Sequence, residues 1–318
     1  MNILVIMPME PGDRARLAAA VPGTELTFVG MKKVTDQQIA RADAIIGNLP
    51  PERLKHAVNL NWLQLSSSGA DKYCAPGLLP AGTVLTNATG AYGPAISEYM
   101  IGVVFALAYN LHKYRDNQKN RLWRDEGPVR PIADSTVLVV GLGDIGRAFA
   151  SRIKAMGCHV IGVKRTPSEK PDYVDELYLM DSLDTLLKRA DVVTLSLPRA
   201  PETDGLMDEA RLLAMKKDAI LVNVGRGSAV RTEDLCRVLA SGHLKGCALD
   251  VTDPEPLPPE HPLWAFDRVM ITPHISGGNN VRETVERVQA VVTRNLRAYV
   301  SGKPLENLVD FHTGYKAH

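Results

Sequence analysis

The stretch Thr136-Val137-Leu138-Val139-Val140-Gly141-Leu142-Gly143-Asp144-Ile145-Gly146 decides the fold. An apolar β-branched run, Val137 to Val140, leads straight into Gly141-x-Gly143-x-x-Gly146, and a helical pattern follows. The glycines have separate tasks in such a strand–turn–helix unit. Gly141 permits the tight turn, Gly143 leaves room for a pyrophosphate beside the backbone, and Gly146 lets the helix pack close to the strand. The free N–H groups at the helix start then favour an anion. The turn, with Asp144 and Ile145 in it, reads as a dinucleotide-binding element. A glycine-rich turn of some other α/β protein is the competing reading of these residues taken alone.

Working outward, short apolar strands alternate with helical segments almost throughout, the pattern of a parallel sheet. Before the glycine turn, strands are expected at 3–7, 25–29, 44–47, 63–65 and 84–86, with helices near 13–20, 35–41 and 51–59. From the turn onward a second series is expected at 137–140, 159–163, 192–195, 219–223, 246–249 and 269–272. A long helical pattern over 94–119 lies between the two series, and a second spans 281–300. The tail around 300–304 and 308–309 is expected to return to the first series. This predicts an α/β protein with a Rossmann-type doubly wound domain at 96–285. That domain is inserted in a smaller flavodoxin-like domain formed by 1–95 and 286–318.

The bulk numbers fit that picture. At 318 residues the chain is long enough for two domains. A formal net charge of +1 offers no electrostatic case for nucleic acid or an anionic membrane surface. No apolar run reaches the roughly 18 residues of a membrane span. The start, Met1 to Pro8, reads as a first strand, not a signal peptide. The four cysteines, Cys74, Cys158, Cys236 and Cys247, have no metal-ligand spacing and read as reduced, mostly buried thiols. A cytoplasmic protein is therefore expected, with no metal.

The second strand of the glycine-turn unit bears on the cofactor. In NAD-binding units, an acidic residue about 20 positions beyond the glycines takes the ribose hydroxyls. Here the strand ends in Lys164, Arg165 and Thr166, with no carboxylate. Cations at that tip attract a 2′-phosphate that a carboxylate would repel. NADP(H) is thus favoured, with NAD(H) possible. The alternative is that Lys164 and Arg165 are merely solvated.

Three residues follow successive strand ends: Arg226 in Asn223-Val-Gly-Arg-Gly-Ser, Glu255 in Asp250-Val-Thr-Asp-Pro-Glu-Pro, and His274 in Thr272-Pro-His-Ile-Ser-Gly. In open α/β sheets ligands bind at the carboxyl ends of the strands, so all three are expected to face the cofactor cleft. With Gly141 to Gly146, Leu197 to Leu206 (Leu-Pro-Arg-Ala-Pro-Glu-Thr-Asp-Gly-Leu) and Met215 to Gly227, these motifs resemble the D-isomer-specific 2-hydroxyacid dehydrogenases, glyoxylate/hydroxypyruvate reductases among them. Ser68-Gly-Ala-Asp and Ile96-Ser-Glu-Tyr match more loosely.

The resemblance implies hydride transfer between a nicotinamide cofactor and a 2-keto or 2-hydroxy acid. His274 would be the acid–base group and Glu255 its partner. Arg226 would bind the substrate carboxylate, completed by backbone N–H groups around Ser68, Gly69 and Ala70. It places Leu197, Pro198, Thr203, Val224, Gly225, Asp250 and Gly277 near the cofactor, although Asp250 reads equally well as a strand-end cap. It also implies a homodimer, with 94–124 and Trp123 a plausible interface. Trp123 and Trp264 otherwise read as packing anchors. His56, His112, His159 and His243 have no partners in sequence and are expected on surfaces.

Formate dehydrogenases share the architecture but carry Gln where Glu255 stands, which argues against that activity. A phosphite or other small-anion dehydrogenase is less firmly excluded. A non-enzymatic NAD(P)(H)-sensing corepressor can retain Arg226, Glu255 and His274.

Overall fold

The computed structural model describes residues 1–278, 281–311 and 314. The chain divides into two compact units, Met1–Tyr92 with Arg282–His318, and Gly93–Val281. Residues 312, 313 and 315–318, the end of the expected 286–318 return, lie outside the described residues.

The first unit carries β1 (Ile3–Val5), α1 (Pro11–Ala19), β2 (Leu26–Phe28), α2 (Asp36–Arg41), β3 (Ala44–Ile46), β4 (Trp62–Gln64) and β5 (Val84–Thr86). All five strands are parallel, in the order β2-β1-β3-β4-β5, the flavodoxin-like arrangement. Alternation along the strands feeds two cores. Leu4, Ile45, Leu63 and Leu85 pack on one face with Ile39 and Leu54, while Ile3, Val5, Ile46 and Trp62 pack on the other. A sheet buried on both faces explains why these strands read as short continuous apolar runs.

The second unit begins with α3 (Gly93–Ala108) and α4 (Leu111–Lys119). Then come β6 (Thr136–Val140), α5 (Asp144–Ala155), β7 (His159–Lys164), β8 (Glu176–Leu179), α6 (Leu183–Leu187) and β9 (Val192–Leu195). The unit closes with α7 (Glu209–Ala214), β10 (Ile220–Asn223), α8 (Thr232–Ala240), β11 (Gly246–Leu249) and β12 (Val269–Ile271). Its seven strands run in the order β12-β11-β10-β9-β6-β7-β8. Counted from β6, that is the doubly wound order of dinucleotide-binding sheets, extended by one strand. The chain then re-enters the first unit as α9 (Arg282–Val300), whose Val288, Val292 and Leu296 recur at helical spacing in the Trp62 core. Beyond it, Val309 N–H donates to Leu85 O at 2.9 Å.

Several expectations need correction. The pattern over 94–119 is two helices, bent by 71° at a break. Asn110 sits there with φ 56°, a left-handed conformation that Asn tolerates better than most residues, and its side chain is tied to Glu126 O and Lys245 Nζ. The segment expected as a helix at 51–59 is a 3₁₀ turn, Pro51–His56. Edge strand β8, Glu-Leu-Tyr-Leu, lies outside the expected series; it is short and, as an edge strand, only partly buried. Trp123 is fully exposed (105%) and Trp264 is half-exposed, so neither anchors packing within this chain.

The histidines without partners in the local sequence find them in the fold, three of them across long sequence separations. His159 Nε2 lies 2.7 Å from Glu176, and His243 Nε2 lies 2.9 Å from Met215 O. His56 lies 3.5 Å from Asp36. His112 is half-buried, with Nδ1 3.2 Å from Ala106 O, and burial pulls its pKa down. All four cysteines are free, with Cys158 and Cys247 buried and the other two partly so. Among the described residues no single helix is long and apolar enough to cross a membrane.

Candidate active site

The glycine turn takes the shape its spacing demands. Gly141 has φ +99°, and a Cβ there would lie 2.8 Å from Ser196 O. Gly141 N–H donates to Val163 O at 2.9 Å, which ties the turn to β7. At Gly146 a Cβ would fall 2.0 Å from Gly141 O, so helix α5 can approach only without a side chain. A Cβ at Gly143 would meet nothing within 4 Å. That open flank lies beside the start of α5, whose N-cap Gly143 supplies no side-chain cap. Without a side-chain cap the start of α5 suits an incoming anion, and the cradle fits a dinucleotide pyrophosphate. Asp144, in the first turn, accepts from Gly93 N–H at 3.0 Å, and Ile145 follows it half-buried.

The tip of β7 presents Lys164 half-buried, Arg165 exposed and Thr166 half-buried. Desolvation, and then the charge of Arg147, pull the Lys164 pKa down. Arg147 stands on α5 and donates through Nε to Leu142 O at 3.2 Å, so a third cation accompanies the tip. On the other side of the turn, Leu197 and Val224 are buried. Thr203 holds the loop after Pro198, its Oγ1 donating toward Pro198 O at 2.8 Å and accepting from Ala200 N–H at 2.9 Å.

Strands β10, β11 and β12 end in register, with Asn223 beside Leu249 and Leu249 beside Ile271. Arg226, Glu255 and His274 follow on the loops from these three neighbouring ends. Glycines let the loops close together. A Cβ at Gly225 would lie 2.5 Å from Leu197 O, and one at Gly227 would lie 2.0 Å from Thr252 O. Asn223 shapes the Arg226 loop from below, donating to Arg226 O at 2.8 Å and accepting from Gly225 N–H at 3.1 Å. Arg226 itself is half-buried and donates through Nη1 to Gly225 O.

His274 Nδ1 lies 2.7 Å from Glu255 Oε1, and the two side chains are 51% and 44% exposed. A carboxylate only accepts, so Nδ1 carries the hydrogen and Nε2 is the nitrogen left for proton exchange with a ligand. His274 has φ 52°, a left-handed backbone that is unusual for a histidine. What enforces it is Asp250, 1% exposed, whose backbone O accepts from His274 N–H at 2.8 Å. The Asp250 carboxylate accepts from Thr272 Oγ1 at 2.7 Å, Ile275 N–H at 2.9 Å, Ser276 N–H at 3.1 Å and Ser276 Oγ. Gly277 continues the turn after Ser276.

Ser68, Gly69 and Ala70 belong to the first unit, on the loop after β4. The carbonyls of that loop are all engaged. Ser66 O accepts from Tyr92 Oη, Ser67 O from Ala88 N–H, Ser68 O from Asn87 Nδ2, Gly69 O from Ser67 Oγ and Ala70 O from Tyr73 N–H. Among the described residues the N–H groups of Ser67, Ser68, Gly69 and Ala70 have no acceptor. Carbonyls turned inward and amides left over make a loop suited to a carboxylate or other small anion.

Sequence reasoning gave no role to Asn87, Tyr99, Asn223 and Gly227, although the last three stand inside motifs quoted above.

Residues 101–276 match the family model for the NAD binding domain of D-isomer specific 2-hydroxyacid dehydrogenases. A glyoxylate reductase of Thermofilum pendens is 33% identical over 264 residues, covering 81% of this chain and 77% of the relative. A D-isomer specific 2-hydroxyacid dehydrogenase family protein of Aeromonas salmonicida superposes with a TM-score of 0.86 at 32% identity, covering 98% and 99% of the two chains. An NADPH-dependent glyoxylate/hydroxypyruvate reductase of Sinorhizobium meliloti, solved with NADP and sulfate, gives a TM-score of 0.84 at 27% identity, with 99% of each chain covered.

Proposed function

This chain belongs to the D-isomer specific 2-hydroxyacid dehydrogenase family, and we propose that it is an NADP(H)-preferring reductase of small 2-keto acids. The observation that carries the reading is the His274–Glu255 pair at 2.7 Å, on the loops after β12 and β11, with Arg226 on the loop after the adjoining β10. When bound, the nicotinamide supplies the hydride for the carbonyl carbon. His274 Nε2 delivers the proton to the carbonyl oxygen, closing C=O to CH–OH. In the oxidation direction the same nitrogen removes it. Glu255 holds the imidazole by its other nitrogen and stabilises the imidazolium, which delivers the proton in reduction and forms in oxidation. Arg226 grips the substrate carboxylate with its planar donor fork. We assign the open amides of Ser68, Gly69 and Ala70 to substrate binding as well, and with them the first unit as the substrate-binding domain.

The NADP preference rests on Lys164 and Arg165, with Thr166 as a neutral hydrogen-bonding group beside them. The glycine turn, Leu197, Pro198, Thr203, Val224, Gly225 and Gly277 form the remaining cofactor contacts, while Asp250, its carboxylate taken up by the 272–276 loop, keeps the strand-end role. We also assign the chain to the cytoplasm, on its four unpaired thiols, and to a homodimer. The support for the dimer is Trp123, fully exposed beside a half-exposed Leu122.

The test is loss of NADPH absorbance with glyoxylate, hydroxypyruvate and a bulkier 2-keto acid, each repeated with NADH. Turnover with at least one of them, faster with NADPH, is expected. Tight NADPH binding without turnover of any keto acid would instead favour a nucleotide sensor on the same scaffold.

A further inference from the structure

The loop that carries His274 is pinned by a partly buried chain of hydroxyls that begins on another element. Tyr99, on α3, places its Oη 2.6 Å from Thr272 Oγ1. Thr272 Oγ1 lies in turn 2.7 Å from Asp250 Oδ1. The direction of this chain is forced. A carboxylate accepts only, so the single Thr272 proton points at Asp250, and Tyr99 donates to the Thr272 oxygen. The phenol is well suited to remain a donor, since burial pushes its pKa up to about 12. The remaining Asp250 bonds go to Ile275 N–H, Ser276 N–H and Ser276 Oγ, and its backbone O takes His274 N–H. Residues 272–276 are thus fixed at both ends by one aspartate, with His274 at φ 52° between them.

We infer that Tyr99 is a positioning residue for the acid–base group: by donating to Thr272 Oγ1 it gives that hydroxyl a second fixed partner beside Asp250 and so locks the loop that aims His274. This rests on the reading of His274 as the proton donor. Tyr99 itself touches no reacting atom in this scheme. Without the phenol, Thr272 Oγ1 keeps only its bond to Asp250, and one of the anchors of a strained loop is lost. Small losses of alignment at a proton donor are costly, because reacting atoms must sit within hydrogen-bond reach before transfer.

The experiment compares Tyr99→Phe, Thr272→Val, Thr272→Ser and the Tyr99→Phe/Thr272→Val double variant, using NADPH and glyoxylate as the probe. Tyr99→Phe and Thr272→Val should each lower kcat roughly tenfold, with the glyoxylate KM and the NADPH Kd within about twofold. The solvent deuterium isotope effect on kcat should rise, as proton transfer becomes more limiting. Thr272→Ser keeps the hydroxyl and should retain wild-type kcat. The double variant should be no worse than Thr272→Val alone, as expected for members of one chain. In the cofactor-free protein, amide hydrogen exchange over 272–276 should quicken in Tyr99→Phe.

An unchanged kcat and isotope effect in Tyr99→Phe overturns the inference, as does additivity in the double variant. If Tyr99→Phe does not fold, the Thr272→Ser and Thr272→Val pair decides alone, and equal losses in both refute it. His274→Ala in the same assay separates the two readings. Retained turnover there sinks the role of His274 itself, whereas its loss with an intact Tyr99→Phe sinks only the role of Tyr99.

Discussion

Two loops leave the carboxyl edge of the same seven-stranded sheet, and they are built on opposite principles. The turn at 141–146 works by omission. It has φ +99° at Gly141, open space at Gly143, and no room for even a methyl group at Gly146. The loop at 272–276 works by supply. A single buried carboxylate, Asp250, takes four donors from it and holds a histidine in a left-handed backbone. The first fails when an atom is added, the second when one is removed. The contrast suits their tasks: a phosphate needs bare backbone to approach, whereas a proton donor needs to be aimed.

The contrast is sharpest when broken at Asp250. Asp250→Ala strands four donors, the two of Ser276 in a buried site where each costs about 1–3 kcal/mol when unpaired, so thermal unfolding should come roughly 10 °C earlier and turnover should collapse. If Asp250→Ala kept the wild-type Tm, the carboxylate would not be the anchor. Gly146→Ala adds one methyl against Gly141 O. Calorimetry should show a loss of about 1–3 kcal/mol, and titration should show weaker NADPH binding. A variant as stable and as tight as wild type would mean that α5 shifts freely.

Lys164→Asp with Arg165→Ala leaves both loops intact and removes the cations at the β7 tip. The NADPH-to-NADH ratio of kcat/KM should fall on the order of tenfold to hundredfold, and an unmoved ratio would defeat the 2′-phosphate argument. The smallest effect is expected at the sheet edge. Glu176 is held down to about 2, chiefly by its hydrogen bonds to Arg189 and then to His159. A depressed carboxyl stabilises the fold above its unfolded value, near 4.3, and that contribution fades as pH falls toward 2. The stability gap between wild type and Glu176→Gln, read from urea midpoints, should therefore be present at pH 6 and narrower at pH 3.5. It should stay modest, because the pair is partly exposed.

The same contrast explains what could be read in the chain. The glycine turn was legible because omission leaves a fixed spacing, and the parallel sheets because strands buried on both faces are apolar throughout. Arg226, Glu255 and His274 were legible as residues after successive strand ends. The supports were not. Tyr99 stands 173 residues before its partner Thr272, and Asn87 reaches Ser68 across the ends of β4 and β5. Hydrogen bonds at such separations leave no local pattern. The break at Asn110 was hidden for a similar reason, since the residues that hold its turn, Glu126 and Lys245, lie outside the helical stretch. The exposure of Trp123 ran against the general tendency of tryptophan to bury.

The central claim is that the aimed residue is the proton donor, and it is tested most directly on His274→Ala. NADPH affinity and glyoxylate turnover should be measured on the same preparation. The account predicts wild-type NADPH binding, because the glycine turn is untouched, with kcat lowered about 10²–10⁴-fold. Wild-type turnover by His274→Ala would contradict it.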